Sequence, residues 1–313
     1  MDLKEARYIL AIAKHKNIGK AAESLFISQP SLSKYLKNLE RQLGSPLFSR
    51  IDNAYIPTYV GERYLYYAEQ IADLGKEWNQ EYRDITHREH GRLHIAIPIM
   101  LGSTLLQPTL MEFHTRYPHI TVNVMEEVNF IAEQTLTNHS IDLTFYNVHE
   151  FPKLLAYEII QREEIVLILP GCHPLAKKAE KKPGFCYPWL DLSLLNQENF
   201  ILLYPDQNTG SIALKLFSEY QIQPPILLHT RNSQMSIQLA MDGMGAAFAP
   251  ASYFHFLEKN RTDRPLCFSI GHTPVVTTTI AAHRPKRYLS QYAKDYIQIL
   301  QEYCLRKQGD SGN

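Results

Sequence analysis

Between Val60 and Ile85 the residues Val60, Tyr64, Tyr67, Ile71, Leu74, Trp78, Tyr82 and Ile85 follow one another at intervals of 4, 3, 4, 3, 4, 4 and 3. That spacing draws one apolar stripe along a long α-helix, close to a heptad seam. The surrounding residues are polar, so the stripe calls for another helix to cover it, most economically the same helix of a second copy. The run thereby divides the chain. It predicts a small module over 1–58, a linker and dimerisation helix over 59–90 and a larger domain over 91–305.

At 313 residues the chain is long enough for more than one buried core. Its 32 basic and 32 acidic residues cancel, which removes any general pull toward nucleic acid or an acidic membrane. The distribution is uneven, however: residues 1–50 hold nine Lys or Arg against four Asp or Glu, and residues 51–90 hold four against eight. Attraction for a polyanion is therefore local to the first module. The absence of a leader-like N-terminus and of any run of 18 apolar residues predicts a soluble, cytoplasmic protein with no membrane partner. Cys172, Cys186, Cys267 and Cys304 are spaced for neither a disulfide scaffold nor zinc. Such isolated cysteines are expected to be buried as small hydrophobes, with a Cys172–Cys186 redox pair as the alternative.

Within the first module, LKEARYILAIAKH predicts a helix stopping near Lys16, with Ala6, Leu10 and Ala13 inward. Asn17 can cap a second helix whose inward face is Ala21, Ala22 and Leu25. In SLFISQPSLSKYLKNLERQLG, Ser28 is the expected N-cap of a third helix, Pro30 stands in its first turn and Gly44 ends it. The stripe Leu32, Tyr35, Leu36, Leu39 and Leu43 faces a core, so Gln29, Ser31, Ser33, Lys34 and Lys37 face away. LFSRIDNAYIPTYVG then reads as a hairpin wing turning near Asn53.

Beyond Gly91, the segments LHIAI, ITVNVM, IDLTF, IVLIL and FILLY read as short strands. Helices are expected to start near Gly102, Asn129, Leu192 and Gly210, with others over Ser233–Asp242 and Tyr288–Glu302 before a frayed tail. That alternation predicts a mostly parallel sheet covered on both faces.

A short helix pair whose second member opens with Ser and Gln and carries lysines outward suits the major groove of a DNA duplex. Gln29 can pair with adenine, Ser31 and Ser33 permit close approach, and Lys34 and Lys37 can meet phosphate. Taken alone, Ser28 and Pro30 would start a helix in any protein and the lysines would keep it soluble. The local basic surplus, the wing and the dimerising helix favour DNA, with two reading helices presented to a two-fold target.

The run AAESLFISQPSLSKYLKNLERQLGSPLFSR, the looser PTYVG, and then GRLHIAI, FHTRYPHI, LTNHSIDLTF, ILPGCHPLA and MDGMGAAFAP resemble the LysR-type transcriptional regulators along almost the whole chain. The resemblance implies a winged helix-turn-helix, a dimerising linker helix and a two-lobed α/β effector domain like periplasmic binding proteins, with lobe I at 91–162 and 269–305 and lobe II at 163–268. It implies promoter DNA, a small organic effector and RNA polymerase as partners, a homodimer or homotetramer, and no cofactor. It assigns Gln29, Pro30, Ser31, Ser33, Lys34, Lys37 and Arg50 to DNA. Lys34 stands where Arg is commoner, Asn53 where Arg is frequent, Pro57 where Leu is usual, and Gly19 where Ser or Thr is usual.

Strand ends that pass into helices can bind anions through helix N-termini. On that ground Ser103 and Thr104 serve one lobe and Thr209, Gly210 and Ser211 the other, although such residues also simply cap helices. The resemblance adds Met100, Gly102, Asn232 and Ser233 to the effector set. A carboxylate ligand calls for an opposite charge nearby, for which Arg231, beside Asn232 and Ser233, is a candidate, the alternative being a solvated surface arginine. His87, His90 and His94 have metal-like spacing, but Gly91 interrupts them and no carboxylate completes a site. No GxSxG, phosphate-loop or HExxH motif supports catalysis, and the adjacent Glu126 and Glu127 would point to opposite faces of a strand. A constitutive DNA-binding or protein-recruiting factor without a ligand is the alternative function.

Overall fold

The computed structural model describes residues 1–52, 54–86, 91–126, 140–259, 261, 262, 265–285 and 287–310, with the side chains of 80, 83–86 and 308–310 left aside. The chain divides into two compact units, Met1–Arg88 and Glu89–Asn313.

In the first unit, α1 (Leu3–His15) ends where Lys16 turns left-handed, and α2 (Ile18–Ser24) is capped by Asn17, whose side chain accepts from the Lys20 amide. Next, α3 (Gln29–Leu43) has Pro30 in its first turn and stops at Gly44, whose φ of 69° is costly for residues with a Cβ. The strands β1 (Phe48–Ile51) and β2 (Ala54–Pro57) form an antiparallel wing. The Tyr55 amide bonds to the Lys16 carbonyl at 2.9 Å, which ties the wing to the end of α1. Ile9, Ile12, Ala21, Leu32, Leu36 and Leu39 fill the core between these elements. The inward face of α1 is therefore Ala6, Ile9 and Ile12 and not Ala6, Leu10 and Ala13. Leu43 is exposed, because the last turn of α3 runs past the core.

The long α4 (Tyr59–Thr86) packs on α1: Ala68 is fully buried, and a Cβ at Gly75 would stand 2.7 Å from Leu3. Along the same helix Tyr67, Leu74, Trp78 and Tyr82 are all more than half exposed. Ile85, the last residue of the seam, has a side chain outside the described residues.

The second unit is built on β3 (Gly91–Ile97), α5 (Ile99–Arg116), β4 (Ile120–Glu126), β5 (Leu143–Val148) and β6 (Ala156–Leu169). After two 3-10 turns (Pro174–Lys178 and Leu192–Leu195) come β7 (Phe200–Leu203), α6 (Asn208–Glu219), β8 (Ile226–Thr230), α7 (Ser233–Met241), β9 (Ala247–Pro250), α8 (Ala251–Glu258), β10 (Leu266–Ser269), β11 (Val276–His283) and α9 (Gln291–Asp310). The expected mostly parallel sheet is a mixed one. β3 runs parallel to β4 and β5, whereas β11 returns antiparallel between β5 and β6. The first part of β6 pairs with β11, and its end, Ile165–Leu169, pairs antiparallel with β9 and β10. β7 and β8 form a parallel pair. The β-branched run VTTTI in β11 suits this central, two-sided position.

Local boundaries also differ from expectation. α5 starts at Ile99, three residues before Gly102, because the extended Pro98 serves as its N-cap. The element at Leu192 is only a 3-10 turn capped by Asp191. α9 starts at Gln291 and continues to Asp310, through much of the expected tail. The helix expected near Asn129 lies outside the described residues.

Besides a small cluster of Val148, Leu155, Ile280 and Ala282, two large cores stabilise this unit. One joins Phe145, Phe113 and Tyr296 to Ile237, Ala249 and Phe254, and so crosses the boundary expected at residue 162. The other joins Phe200, Phe217 and Phe248 around the end of β6. All four cysteines are free; Cys172 and Cys186 are exposed, against the expectation of burial, because each stands in an irregular connection between strands.

Candidate nucleic-acid interface and effector site

The buried Leu32, Leu36 and Leu39 fix the rotation of α3, and helical geometry then turns the opposite side outward. Gln29, Pro30, Ser31, Lys34 and Lys37 are exposed together on that side, with Ser33 half-buried at its edge. Ser28 adopts the extended N-cap backbone, but its Oγ bonds to Ser31 Oγ at 2.8 Å and caps no amide. A Cβ at Gly19 would lie 3.6 Å from Gln29 Oε1 and 3.2 Å from Asn17 Oδ1, so the missing side chain leaves room for both carboxamides. Arg50 is exposed on β1 opposite Tyr55. The turn holds Asp52 at φ 47°, and Asn53 lies outside the described residues. Lys34 and Lys37 thus carry positive charge on the side of α3 that also shows Gln29 and Ser31, and Arg50 carries it on the wing.

In the second unit, the sequence-predicted effector residues separate into groups. Met100 is buried in the larger core, which leaves only its backbone free to serve a ligand. Gly102 is buried, and its amide already bonds to the Pro98 carbonyl at 2.8 Å. Ser103 and Thr104 sit more than a turn inside α5 and donate their hydroxyls back to the carbonyls of Ile99 and Leu101. They line a cavity with α7, α8 and α9, and are not at the helix start expected from sequence. Thr209 and Gly210 are buried in the first turn of α6, and Ser211 is half-buried beside them. Asn232 caps α7 by accepting from the Met235 amide at 3.0 Å, next to Ser233. Arg231 is not poised alone: it pairs with Asp206 at 2.8 Å and stacks over Tyr204.

The starts of α6 and α7 are drawn together by Gln207, whose Nε2 donates to the Arg231 carbonyl at 3.1 Å. Unlike α7, α6 has no side-chain cap, and neither does α5. Uncapped first turns leave backbone N–H groups and the positive end of the helix dipole without a partner.

Beside them lies a polar row that sequence reading missed. Asn208 at the start of α6 donates to Thr277 Oγ1 at 2.9 Å, and Thr279 donates to Asn147 Oδ1 at 2.7 Å. Asn147 in turn reaches the Tyr253 hydroxyl at 3.4 Å. Glu163, opposite Thr277 in the ladder, accepts from the Ser252 amide at 2.7 Å, from Ser252 Oγ at 3.0 Å and from Gln161. Desolvation raises the Glu163 carboxyl above the usual carboxylate range, against the lowering effect of the Ser252 donors and Lys307. Thr277 and Thr279 are fully buried, so this row is held without surface mobility.

Among the described residues no group of His, Cys, Asp or Glu is assembled for a metal. His94 lies on β3, where its amide bonds to Asp142, while His87 and His90 fall outside the described residues, as does Glu127. No helix among the described residues is long and apolar enough to cross a membrane.

Comparison with known proteins places these features. Residues 3–62 match the model of the bacterial regulatory helix-turn-helix protein, lysR family, and residues 86–305 match the LysR substrate binding domain. The uncharacterized HTH-type transcriptional regulator YcgK of Bacillus subtilis (strain 168) is 27% identical, covering 100% of this chain and 97% of its own length. A probable RuBisCO transcriptional regulator of Thalassiosira pseudonana is 32% identical over 80% of this chain and 81% of its own. Among solved structures, a full-length OxyR variant from Pseudomonas aeruginosa superposes with a TM-score of 0.68 at 21% identity, covering 97% of this chain and 94% of that one. With both of its units matched in order, the chain belongs to the LysR family of DNA-binding transcriptional regulators.

Proposed function

We propose that the protein binds promoter DNA as a homodimer or a homotetramer assembled from dimers, through Gln29, Pro30, Ser31, Ser33, Lys34, Lys37 and Arg50. The proposed effector is a small organic anion, bound between lobe I (91–162 and 269–305) and lobe II (163–268) of the second unit. The exposed seam on α4 supports dimerisation, since four large apolar side chains on one helix are costly to leave in water. The observation that carries the anionic reading is the uncapped first turn of α6. That turn, Asn208, Thr209 and Gly210, is tied to the buried Thr277 by the Asn208 side chain and to the start of α7 by Gln207. Ser211, Asn232 and Ser233 complete that wall, and the half-buried Asn147 adjoins it from the sheet, held there by Thr279. RNA polymerase is the partner through which such a cytoplasmic regulator would act.

The test has two parts. Footprinting of the chain's own upstream DNA against scrambled duplex over a salt series measures base readout, since phosphate attraction survives scrambling. Thermal-shift screening with small carboxylic acids measures the sensor. Equal affinity for both duplexes would sink the DNA assignment. A shift with neutral compounds alone would sink the anionic one.

A further inference from the structure

Gln29 opens α3 and is exposed, and among the described residues its carboxamide makes no hydrogen bond. Its direction is defined all the same. The oxygen lies 3.6 Å from the point where Gly19 would carry a Cβ, and no other atom of that side chain comes within 4 Å of the point. The carboxamide therefore folds back over the first turn of α2 with Oε1 as its inner end. Two neighbours account for that sense. Asn17 has its Oδ1 3.2 Å from the same point and spends it on the Lys20 amide at 3.1 Å, so its Nδ2 hydrogens are the groups left to meet an oxygen. The Ile18 and Gly19 amides, which find no acceptor among the described residues, likewise favour an oxygen beside them over an NH2 group. Any side chain at position 19 would stand against both carboxamides, and glycine leaves the recess empty.

The sense of the carboxamide decides what it can read. A glutamine that uses both ends matches adenine, which shows an acceptor beside a donor in the major groove. One that keeps its oxygen against α2 shows DNA only the two hydrogens of Nε2, and guanine, with N7 and O6 side by side, is the edge that offers two acceptors. We propose that Gly19 is a specificity-determining position: the empty recess beside Asn17 lets Gln29 turn its NH2 end to the duplex, so that the reading helix selects guanine over adenine at the base pair Gln29 meets. This selectivity presupposes that Gln29 contacts DNA, as proposed above. It reverses the adenine pairing expected from the residue type alone, because the partner of the carboxamide oxygen is the protein and not the base.

The test starts from duplexes that the full chain selects out of a randomised pool, followed by competition binding with single base-pair replacements for the wild type and Gln29→Ala. The pair whose preference disappears in Gln29→Ala is the one Gln29 reads. Guanine is expected there, favoured over adenine by about fivefold or more, and 7-deazaguanine, which lacks the N7 acceptor, should bind more weakly than guanine. Asn17→Asp keeps an acceptor for the Lys20 amide, and so keeps α2 capped, but replaces the amide hydrogens by a second oxygen. Gln29 then turns Nε2 inward, and the guanine-to-adenine affinity ratio should fall by about fivefold or more. The added negative charge weakens every duplex alike, and the ratio cancels it. Gly19→Ala, with circular dichroism as the check on folding, sets a methyl against both carboxamides and should lower the ratio by about threefold or more. Adenine at that pair in the wild type, or an unchanged ratio in either variant, would overturn the role of Gly19 and leave the DNA contact of Gln29 standing. A sequence preference untouched by Gln29→Ala would overturn both.

Discussion

Tyr64 of α4 donates its hydroxyl hydrogen to the Glu5 carboxylate of α1, and Tyr35 of α3 reaches the other oxygen of the same carboxylate at 3.4 Å. One side chain thus holds the long helix and the reading helix in fixed relation. Tyr64→Phe should lower stability at neutral pH by about 1–2 kcal/mol, as expected for a hydrogen bond to a charged acceptor.

The same contact sets an alkaline limit. Desolvation, and then the charge of Glu5, pushes the Tyr35 phenol from 10.0 up to about 12, and Tyr64 is raised further. The unfolded phenols lose their protons first, near pH 10, while the folded ones keep theirs. The contribution is therefore complete below about pH 10 and declines as pH rises toward about 12. Denaturant midpoints measured from pH 8 to 12 should show this fall, and Glu5→Gln should flatten it. An unchanged slope in that variant would refute the linkage.

Leu74 of α4 is 65% exposed and Trp78 60%. Leu74→Glu with Trp78→Glu should shift the sedimenting mass toward monomer and weaken binding to a two-fold target by at least about tenfold, since each half-site is then held alone. Retention of the wild-type mass would show that the seam does not assemble the protein.

On the reading helix, Gln29→Ala should relax sequence preference with the salt dependence nearly intact. Lys37→Ala should weaken all duplexes alike and reduce the salt slope by about 1. Fluorescence anisotropy with specific and scrambled duplexes at several salt concentrations separates the two. The reverse pattern would exchange the roles of base contact and phosphate contact.

A Cβ added at Gly210 would fall on the backbone carbonyl oxygens of Tyr204 and Leu203, which cannot move aside as a flexible side chain can. Gly210→Ala should cost about 1–3 kcal/mol by overpacking whether or not a ligand is bound, whereas Ser211→Ala should leave stability within about 0.5 kcal/mol. Thermal unfolding of the two variants compares them directly. Equal stability would mean that Gly210 is tolerated for its ligand contact and not for the close approach of α6 to β7.

The first unit was legible because its signals are local. Asn17, Pro30 and Gly44 are punctuation that acts within one turn, and the leucines of α3 fix a face by spacing alone. The phase of α1 is not set locally: Leu10 and Ala13 are as apolar by type as Ile9 and Ile12, and only the neighbouring helices choose between the two stripes. The start of α5 lies three residues before Gly102 because the extended Pro98 is its N-cap, whereas Gly, Ser and Thr are the more familiar signals of a helix start. The polar row was hidden for a different reason. Thr277 and Thr279 look like the outward half of an alternating strand, and they become buried only because β11 returns from far along the chain into the middle of the sheet. The run VTTT was the available signal, since β-branched residues favour strands, yet nothing local states which partners surround it.

The course of β6 limits how the second unit can respond to a ligand. One unbroken peptide segment is laced to β11 along its first nine residues and to β9 and β10 along the rest. Pulling its two ends apart would require tearing a ladder, whereas a change of twist near Glu164 and Ile165 keeps every rung. A message from the binding site would therefore travel as torsion, with β6 serving as the shaft.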